Sequence, residues 1–370
     1  MDNHFDYIII GAGIAGASVA AHLAAHRSVA ILDMEDRAGY HTTSRSAASY
    51  EPNYGPKPIL ALTRASRDFF LAPLEGFADA PIFTKRGSLV LEAQGQEKDA
   101  ERFLAKAVDI EELSEVQLQG LVPVLRQGFV KRGFLEAATG ALDVDLLHRG
   151  YLRQFKQRGG VLKLQAGANK ISKTADIWHI ETPLGEFTAN TIVNAAGAWG
   201  DHVATLAGAK LVGLIPKRRS IGVISVAGHD VMKWPFMVDC AESWYAVPQS
   251  GKLLVSSADA TPVEPHDAYA DDEAIAIGID RMMQATTIDV QRLEHSWGGL
   301  RTFSPDGAPV VGFDQYTDGF FWLVGQGGYG IQSSPALSRT AAAMILQQVI
   351  PTDVLAAGLI INDILPNRLR

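Results

Sequence analysis

The stretch Tyr7-Ile8-Ile9-Ile10-Gly11-Ala12-Gly13-Ile14-Ala15-Gly16 decides the fold. Its first four residues are apolar, three of them β-branched, a short run suited to a buried parallel strand. Gly11, Gly13 and Gly16 then make a Gly-x-Gly-x-x-Gly turn, and Ala17 to Ala25 read as a closely packed helix. Val29 to Leu32 form a second buried strand ending at Asp33, 22 residues after Gly11. Strand, glycine turn, helix, strand and acid in that order make a dinucleotide-binding βαβ unit. Gly11 allows the tight turn, Gly13 lets backbone approach a pyrophosphate, and Gly16 lets the helix sit close to the strand. The helix N-terminus supplies free N–H groups and partial positive charge. A carboxylate at Asp33 can accept from both ribose hydroxyls and repels a 2′-phosphate. The candidate contacts are Gly11, Ala12, Gly13, Ile14, Ala15, Gly16, Asp33 and Met34. The fingerprint alone does not separate NAD from FAD.

Working outward, Tyr7 to Ala25 carry no charge and approach the length of a membrane span. Only acids precede them, and strand, glycine turn and alanine helix do not make one uniform span, so a signal peptide or anchor is not expected. The 370 residues are 47% hydrophobic and carry a net charge of −8. That length allows a large core in two lobes, and the apolar content excludes a disordered chain. Cys240 is the only cysteine, so no internal disulfide forms and a reducing, cytoplasmic setting fits. An acidic chain argues against nucleic acid as a partner.

The remaining segments alternate without a linker or repeat. Helices are expected at Pro58 to Leu71, Ile110 to Leu125, after a cap at Asp143, at Asp271 to Ala285 and from Pro335 to about Gln348. Strands are expected at Gly87 to Leu91, through residues 161 to 195 with turns at Lys173-Thr174 and Leu184-Gly185, and at Ile221 to Val226, Trp244 to Val247, Leu253 to Ser256 and Trp322 to Val324. Residues 325 to 330 read as a glycine-rich turn.

Further motifs are more specific than the fingerprint. They are His41-Thr42-Thr43-Ser44-Arg45-Ser46-Ala47-Ala48, Val193 to Trp199, Pro216-Lys217-Arg218-Arg219-Ser220, Trp297-Gly298-Gly299-Leu300-Arg301 with Pro305-Asp306-Gly307, and Gly325-Gln326-Gly327-Gly328-Tyr329-Gly330-Ile331-Gln332. With them the chain resembles, nearly end to end, the D-amino-acid oxidase-like family of FAD-dependent oxidoreductases, within it the bacterial D-arginine dehydrogenase type. The resemblance implies an α/β fold: a Rossmann-like FAD-binding lobe (1–80, 140–215, 290–370) interleaved with an α+β substrate lobe on a mostly antiparallel sheet (81–139, 216–289).

It also implies roles. His41, Thr42, Thr43, Arg45, Ser46, Ala47 and Ala48 would pass between the FAD pyrophosphate and the flavin. Ala168 would meet the adenine, and Ala196 and Gly197 would line the site. Gly327, Gly328, Tyr329, Gly330, Ile331 and Gln332 would bring N–H groups to the flavin N1 and O2 side, where a helix N-terminus stabilises negative charge. Sarcosine oxidases tether flavin through a cysteine near the C-terminus; none follows Cys240, so FAD would be held non-covalently.

Arg301 matches the arginine that grips the substrate carboxylate, where a planar guanidinium offers two parallel donors. A buried structural ion pair is its alternative. Arg219 matches a second carboxylate contact, or else belongs to a surface basic cluster with Lys217 and Arg218. Tyr54 and Tyr245 match two tyrosines lining the active site, or are core tyrosines. Phenols ordinarily titrate near 10, which favours positioning over proton abstraction. Gly328 would border the substrate. Two departures stand out: Ser88 occupies the strand position where the D-arginine type has an acid, and Ser49 replaces a histidine. Without the acid a guanidinium would be poorly paired, so a neutral or differently charged substrate is expected.

The implied reaction is oxidation of a D-amino acid, or a related small amino acid, at Cα to an imino acid, hydrolysed to a 2-oxo acid and ammonia. Alternatives are oxidation of a 2-hydroxy acid or a secondary amine, and a non-enzymatic FAD- or metabolite-binding protein. The electron acceptor is not readable from the sequence.

Overall fold

The computed structural model describes residues 3–370. Five strands run parallel in the order Val161–Lys163, Val29–Leu32, His4–Ile10, Gly185–Asn194 and Phe320–Val324, and Val310–Phe313 closes that edge antiparallel. The hairpin Lys170–Thr174 with Ile177–Thr182 extends from the first half of Gly185–Asn194. Side chains alternate along these strands. Ile9, Ile31, Val193 and Leu323 face helices Ile14–Leu23, Val144–Gln157 and Gly330–Ile345. Ile8, Ile10, Leu32, Ile192 and Trp322 face a second core with Trp178, Phe187 and Val203. Both faces are covered, which explains why the strands read as continuous apolar runs.

A second, ten-stranded sheet is mostly antiparallel, with one parallel pair, Ser88–Ala93 beside Phe236–Asp239. Strand His295–Phe303, which the division above groups with the FAD-binding segments, pairs residue by residue with Ile215–Ile224 in this sheet. The chain thus returns to the second sheet before entering the first sheet's last strands. Mixed α/β architecture with these two sheets is the expected fold class.

Several elements differ from the sequence expectation. Pro58 to Leu71 is two helices, Lys57–Ala65 and Arg67–Leu71, parted at Ser66. The Ser66 hydroxyl donates to Leu62 O at 2.7 Å and accepts from Ala336 N at 3.1 Å, so this break serves contact with the C-terminal helix. Ile110 to Leu125 holds a strand, Glu111–Leu113, and only then a helix, Glu115–Leu121. A Ser114/Gln117 capping box sets its start and Pro123 limits its end. The C-terminal helix begins at Gly330, with Pro335 inside it. Proline removes one backbone donor, and the Ser334 hydroxyl donates instead to the carbonyl of Ile331, at 3.0 Å. The turn placed at Lys173-Thr174 falls after Thr174, at Ala175, whose φ is +53°. Strand Val130–Glu136 was not anticipated. Asp143 caps its helix as expected, accepting from Leu146 N at 2.9 Å.

Candidate active site

At the carboxyl ends of the parallel strands lies a cleft of about 360 Å³. Gly11 turns there with φ +108°, and a Cβ on it would lie 2.6 Å from Ala195 O. A Cβ on Gly16 would lie 1.9 Å from Gly11 O, so helix Ile14–Leu23 docks only with glycine there. Gly13 puts no capping side chain on that helix, and its first turn has no acid. The Thr43 hydroxyl accepts from Ile14 N at 2.9 Å. Asp33 accepts from Ala12 N at 2.6 Å and Glu35 N at 2.9 Å, while burial pushes its carboxyl above the usual value.

Of the residues the resemblance points to, Gly11, Gly13, Ile14, Ala15, Asp33, Met34, His41, Thr42, Thr43, Ser46, Ala168, Ala196, Gly197, Gly327, Gly328, Gly330 and Ile331 line this cleft. Helix Gly330–Ile345 points its uncapped N-terminus to the same place, again with no acid in its first turn. Ala12 and Gly16 do not line the cleft: Ala12 donates its N–H to Asp33 and Gly16 packs against Gly11. Arg45 turns its side chain away, to Asp267 at 2.5 Å and to Ala268 O at 3.0 Å. Its carbonyl accepts from Trp297 Nε1 and Arg301, so it braces the site through backbone. Ala47, Ala48, Tyr329 and Gln332 line a neighbouring cavity instead. Sequence reasoning missed Glu35 at the cleft edge, 2.8 Å from His41 Nε2, and the Trp199 ring beside His41.

The neighbouring cavity, about 380 Å³, shares Ser46, Arg301 and Gly328 with the cleft. It brings together Ser49, Tyr54, Ser88, Arg219, Tyr245, Arg301 and Gly328. Arg301 is 7% exposed, and its protein acceptors are two carbonyls, Leu300 O at 3.3 Å and Arg45 O at 3.1 Å. No carboxylate pairs with it among the described residues. Burial, then repulsion from Arg219, lowers its pKa to about 10. A buried cation without a counterion is costly and is relieved by an anionic ligand. Arg219 donates from Nε to Asp259 O at 2.8 Å and lies 5.8 Å from the Tyr245 ring centre. The Tyr54 ring meets Tyr329 edge-on at 4.9 Å. Burial, then the nearby Glu242, raises the Tyr54 hydroxyl's pKa, so it stays protonated at neutral pH.

Strand Ser88–Ala93 carries no acid at position 88, yet the cavity is not acid-free. Ser88 Oγ donates to Glu51 Oε1 at 2.7 Å, and Ser88 pairs directly across the sheet with Glu136. Asn53 Nδ2 donates to Glu136 Oε2 at 2.5 Å. Burial raises Glu51 to about 7; burial and the charge of Glu51 raise Glu136 to about 8. This corrects the argument from Ser88 toward a neutral substrate: two carboxyls reach the same place from other elements. Glu51 was findable, three residues before Tyr54 and three after the quoted stretch His41 to Ala48. Glu136 was not, because its strand was not foreseen.

The family model of FAD dependent oxidoreductases, DAO, matches residues 6–344. The chain belongs to that family. It is an FAD-dependent oxidoreductase, and the glycine turn, Asp33 and the two helix N-termini fit FAD. Among relatives, the glycine oxidase of Bacillus licheniformis is 24% identical over 96% of this chain and 97% of its own. The mitochondrial dimethylglycine dehydrogenase of Homo sapiens is 25% identical over 65% of this chain and 30% of its own. The crystal structure of glycine oxidase from Geobacillus kaustophilus superposes with TM-score 0.82 at 20% identity, covering 94% of this chain and 95% of that one, a likeness of fold. These relatives do not single out the D-arginine dehydrogenase type. No helix among the described residues is long and apolar enough to cross a membrane.

Proposed function

We propose that the enzyme oxidises the Cα–H bond of a small carboxylate-bearing amine, a D-amino acid or a related small amino acid. One observation carries this: Arg301, buried and without a counterion, opens onto both the FAD cleft and the adjoining cavity. FAD, when bound, supplies the acceptor for the two electrons and the hydrogen of the broken Cα–H bond. The amine loses its second proton as C=N forms, and water hydrolyses the imine to a 2-oxo acid and ammonia.

Arg301 grips the substrate carboxylate with two parallel donors and fixes which face of Cα meets the cofactor. Arg219 adds a second positive charge from the neighbouring strand. Tyr54 and Tyr245 exclude water and offer hydroxyl hydrogen bonds to carboxylate or amine. Tyr54, held protonated, is no base for the ammonium. Gly327, Gly328, Gly330 and Ile331 face the FAD cleft, and the uncapped helix terminus there favours developing negative charge.

A secondary amine is the second reading. It is favoured, as one kind of N-alkylated amino acid, by the relative whose name gives dimethylglycine, itself a tertiary amine. Product analysis tests the reading and separates these substrates. Ammonia with a 2-oxo acid supports a primary amino acid, and an alkylamine or aldehyde supports a secondary amine. A 2-oxo acid formed from a 2-hydroxy acid, with no amine oxidised, overturns amine oxidation.

A further inference from the structure

Oxidation at Cα leaves two electrons on the cofactor, and the chemistry above gives them no exit. A third cavity, about 490 Å³, borders both of the spaces already described. Gly39, Thr43 and Ser46 line it and the FAD cleft; Ser46, Ala47 and Ala48 line it and the substrate cavity. Ser46 is common to all three. The third cavity therefore reaches the point where cofactor and substrate meet, with one strand of backbone, bearing only small side chains, as the wall between.

Its lining has two characters. Leu142, Val247 and Pro248 are buried apolar residues with room for a flat ring beside them. Arg86 supplies a guanidinium. It donates to Ser49 Oγ at 2.7 Å and Pro248 O at 3.3 Å, and no carboxylate pairs with it among the described residues. Each Nη of a guanidinium carries two N–H groups, so donors remain. The other charges border the start of helix Val144–Gln157. Asp143 accepts from Leu146 N, and Asp145 pairs with Arg149 at 3.1 Å. His148 Nε2 lies 2.8 Å from Ala12 O, a contact that makes it the protonated nitrogen and the ring no donor to the cavity. Two carboxylates at one edge disfavour an anionic ligand, while Arg86 suits a neutral one whose oxygen gains electrons.

We propose that this cavity binds the electron acceptor, a neutral quinone, with Arg86 donating to one carbonyl oxygen. The reduced cofactor gives up two electrons and one proton, and solvent gives a second proton. Both quinone oxygens become hydroxyls, the ring becomes a hydroquinone, and FAD is restored. The proposal rests on FAD as the cofactor and not on which substrate reduces it.

The test uses the FAD-loaded enzyme reduced photochemically, without substrate, so that failure of the amine reading leaves it intact. The probe is duroquinone, whose fully substituted ring does not arylate thiols. Its binding to the oxidised enzyme is measured by equilibrium dialysis, and anaerobic reoxidation of the flavin is followed by absorbance. Reoxidation should saturate with quinone concentration. Thr84 and Gln249 are exposed residues lining the cavity. Thr84→Trp and Gln249→Trp should keep full flavin content, yet each should weaken quinone binding and slow reoxidation by at least roughly tenfold, since an indole fills the space a ring would take. Arg86→Gln should weaken binding by roughly tenfold, the loss of a charge-assisted hydrogen bond. Reoxidation by dioxygen should change by less than about twofold in the two tryptophan variants, because so small a molecule needs no such cavity. Reoxidation that rises linearly with quinone and shows no binding in dialysis overturns the site. So do tryptophan variants that bind and react with quinone normally, an Arg86→Gln enzyme that binds it unchanged, or tryptophan variants that slow dioxygen as much as quinone.

Discussion

Arg219 and Arg301 are diagonal neighbours on one face of the strand pair Ile215–Ile224 and His295–Phe303, since Arg219 lies opposite Gly299 and Lys217 opposite Arg301. Two like charges at that spacing repel. Burial, and after it this repulsion, lowers the pKa of Arg301. The pair persists because each guanidinium donates to backbone carbonyls. An arriving carboxylate converts this repulsion into attraction.

Arg301→Met should therefore weaken carboxylate binding by about 10²- to 10³-fold, the cost of losing a desolvated charge-assisted contact. Arg301→Lys should recover only part, because an ammonium cannot make the two parallel bonds. Titration of the flavin spectrum with a simple carboxylate measures both.

Gly16→Ala should abolish FAD retention. The added methyl would sit 1.9 Å from Gly11 O, so the helix must retreat from the glycine turn. The ratio of flavin to protein absorbance after purification reads this directly. A variant with full flavin content would show that the close packing is dispensable.

The Tyr54 hydroxyl is held protonated by burial. Tyr54→Phe should then lower kcat/KM by roughly tenfold, a lost hydrogen bond, without moving the basic limb of the pH profile. Loss of that limb would make the phenol a proton carrier.

Stability should fall as pH rises through the titration of Glu51 and Glu136. Their pKa values are raised to about 7 and about 8, so the folded protein holds protons that the unfolded chain releases above about 4.5. Their contribution is complete below the unfolded value and is lost as pH passes through the folded values. Between about pH 6.5 and about pH 8.5 the loss should be on the order of 2 kcal/mol. The Glu51→Gln, Glu136→Gln double variant should flatten this slope. Thermal or urea unfolding at the two pH values checks it.

Much of the nucleotide lobe was legible because local chemistry decides it. Ile8 to Ile10 and Val29 to Leu32 are buried on both faces and so read as unbroken apolar runs. Gly16 answers to Gly11 and Ile9, a few residues away in the chain, and only Gly11 answers to a distant strand end, at Ala195. The substrate cavity was only half legible. Arg301 and Arg219 sit in the quoted motifs. Glu136 gains meaning only through its cross-strand partner Ser88, far away in sequence, and its strand carries Lys131 and Arg132, which obscure the alternation. Residues 110 to 125 misled because apolar positions at near-helical spacing spanned a capping box and a strand. The helix at Gly330 was read late because Pro335 looks like a first-turn residue, whereas Ser334 compensates for it inside the helix.

The central claim is that a buried, unpaired guanidinium holds a small carboxylate-bearing amine beside FAD for oxidation at Cα. Anaerobic titration of the FAD-loaded enzyme with a panel of D-amino acids, glycine and N-methylated amino acids, following the flavin's visible absorbance, tests it most directly. At least one member should bleach the flavin completely, and Arg301→Met should bleach only at far higher concentration. A yellow protein that no carboxylate-bearing amine reduces, or one reduced equally well without the Arg301 guanidinium, would contradict the account.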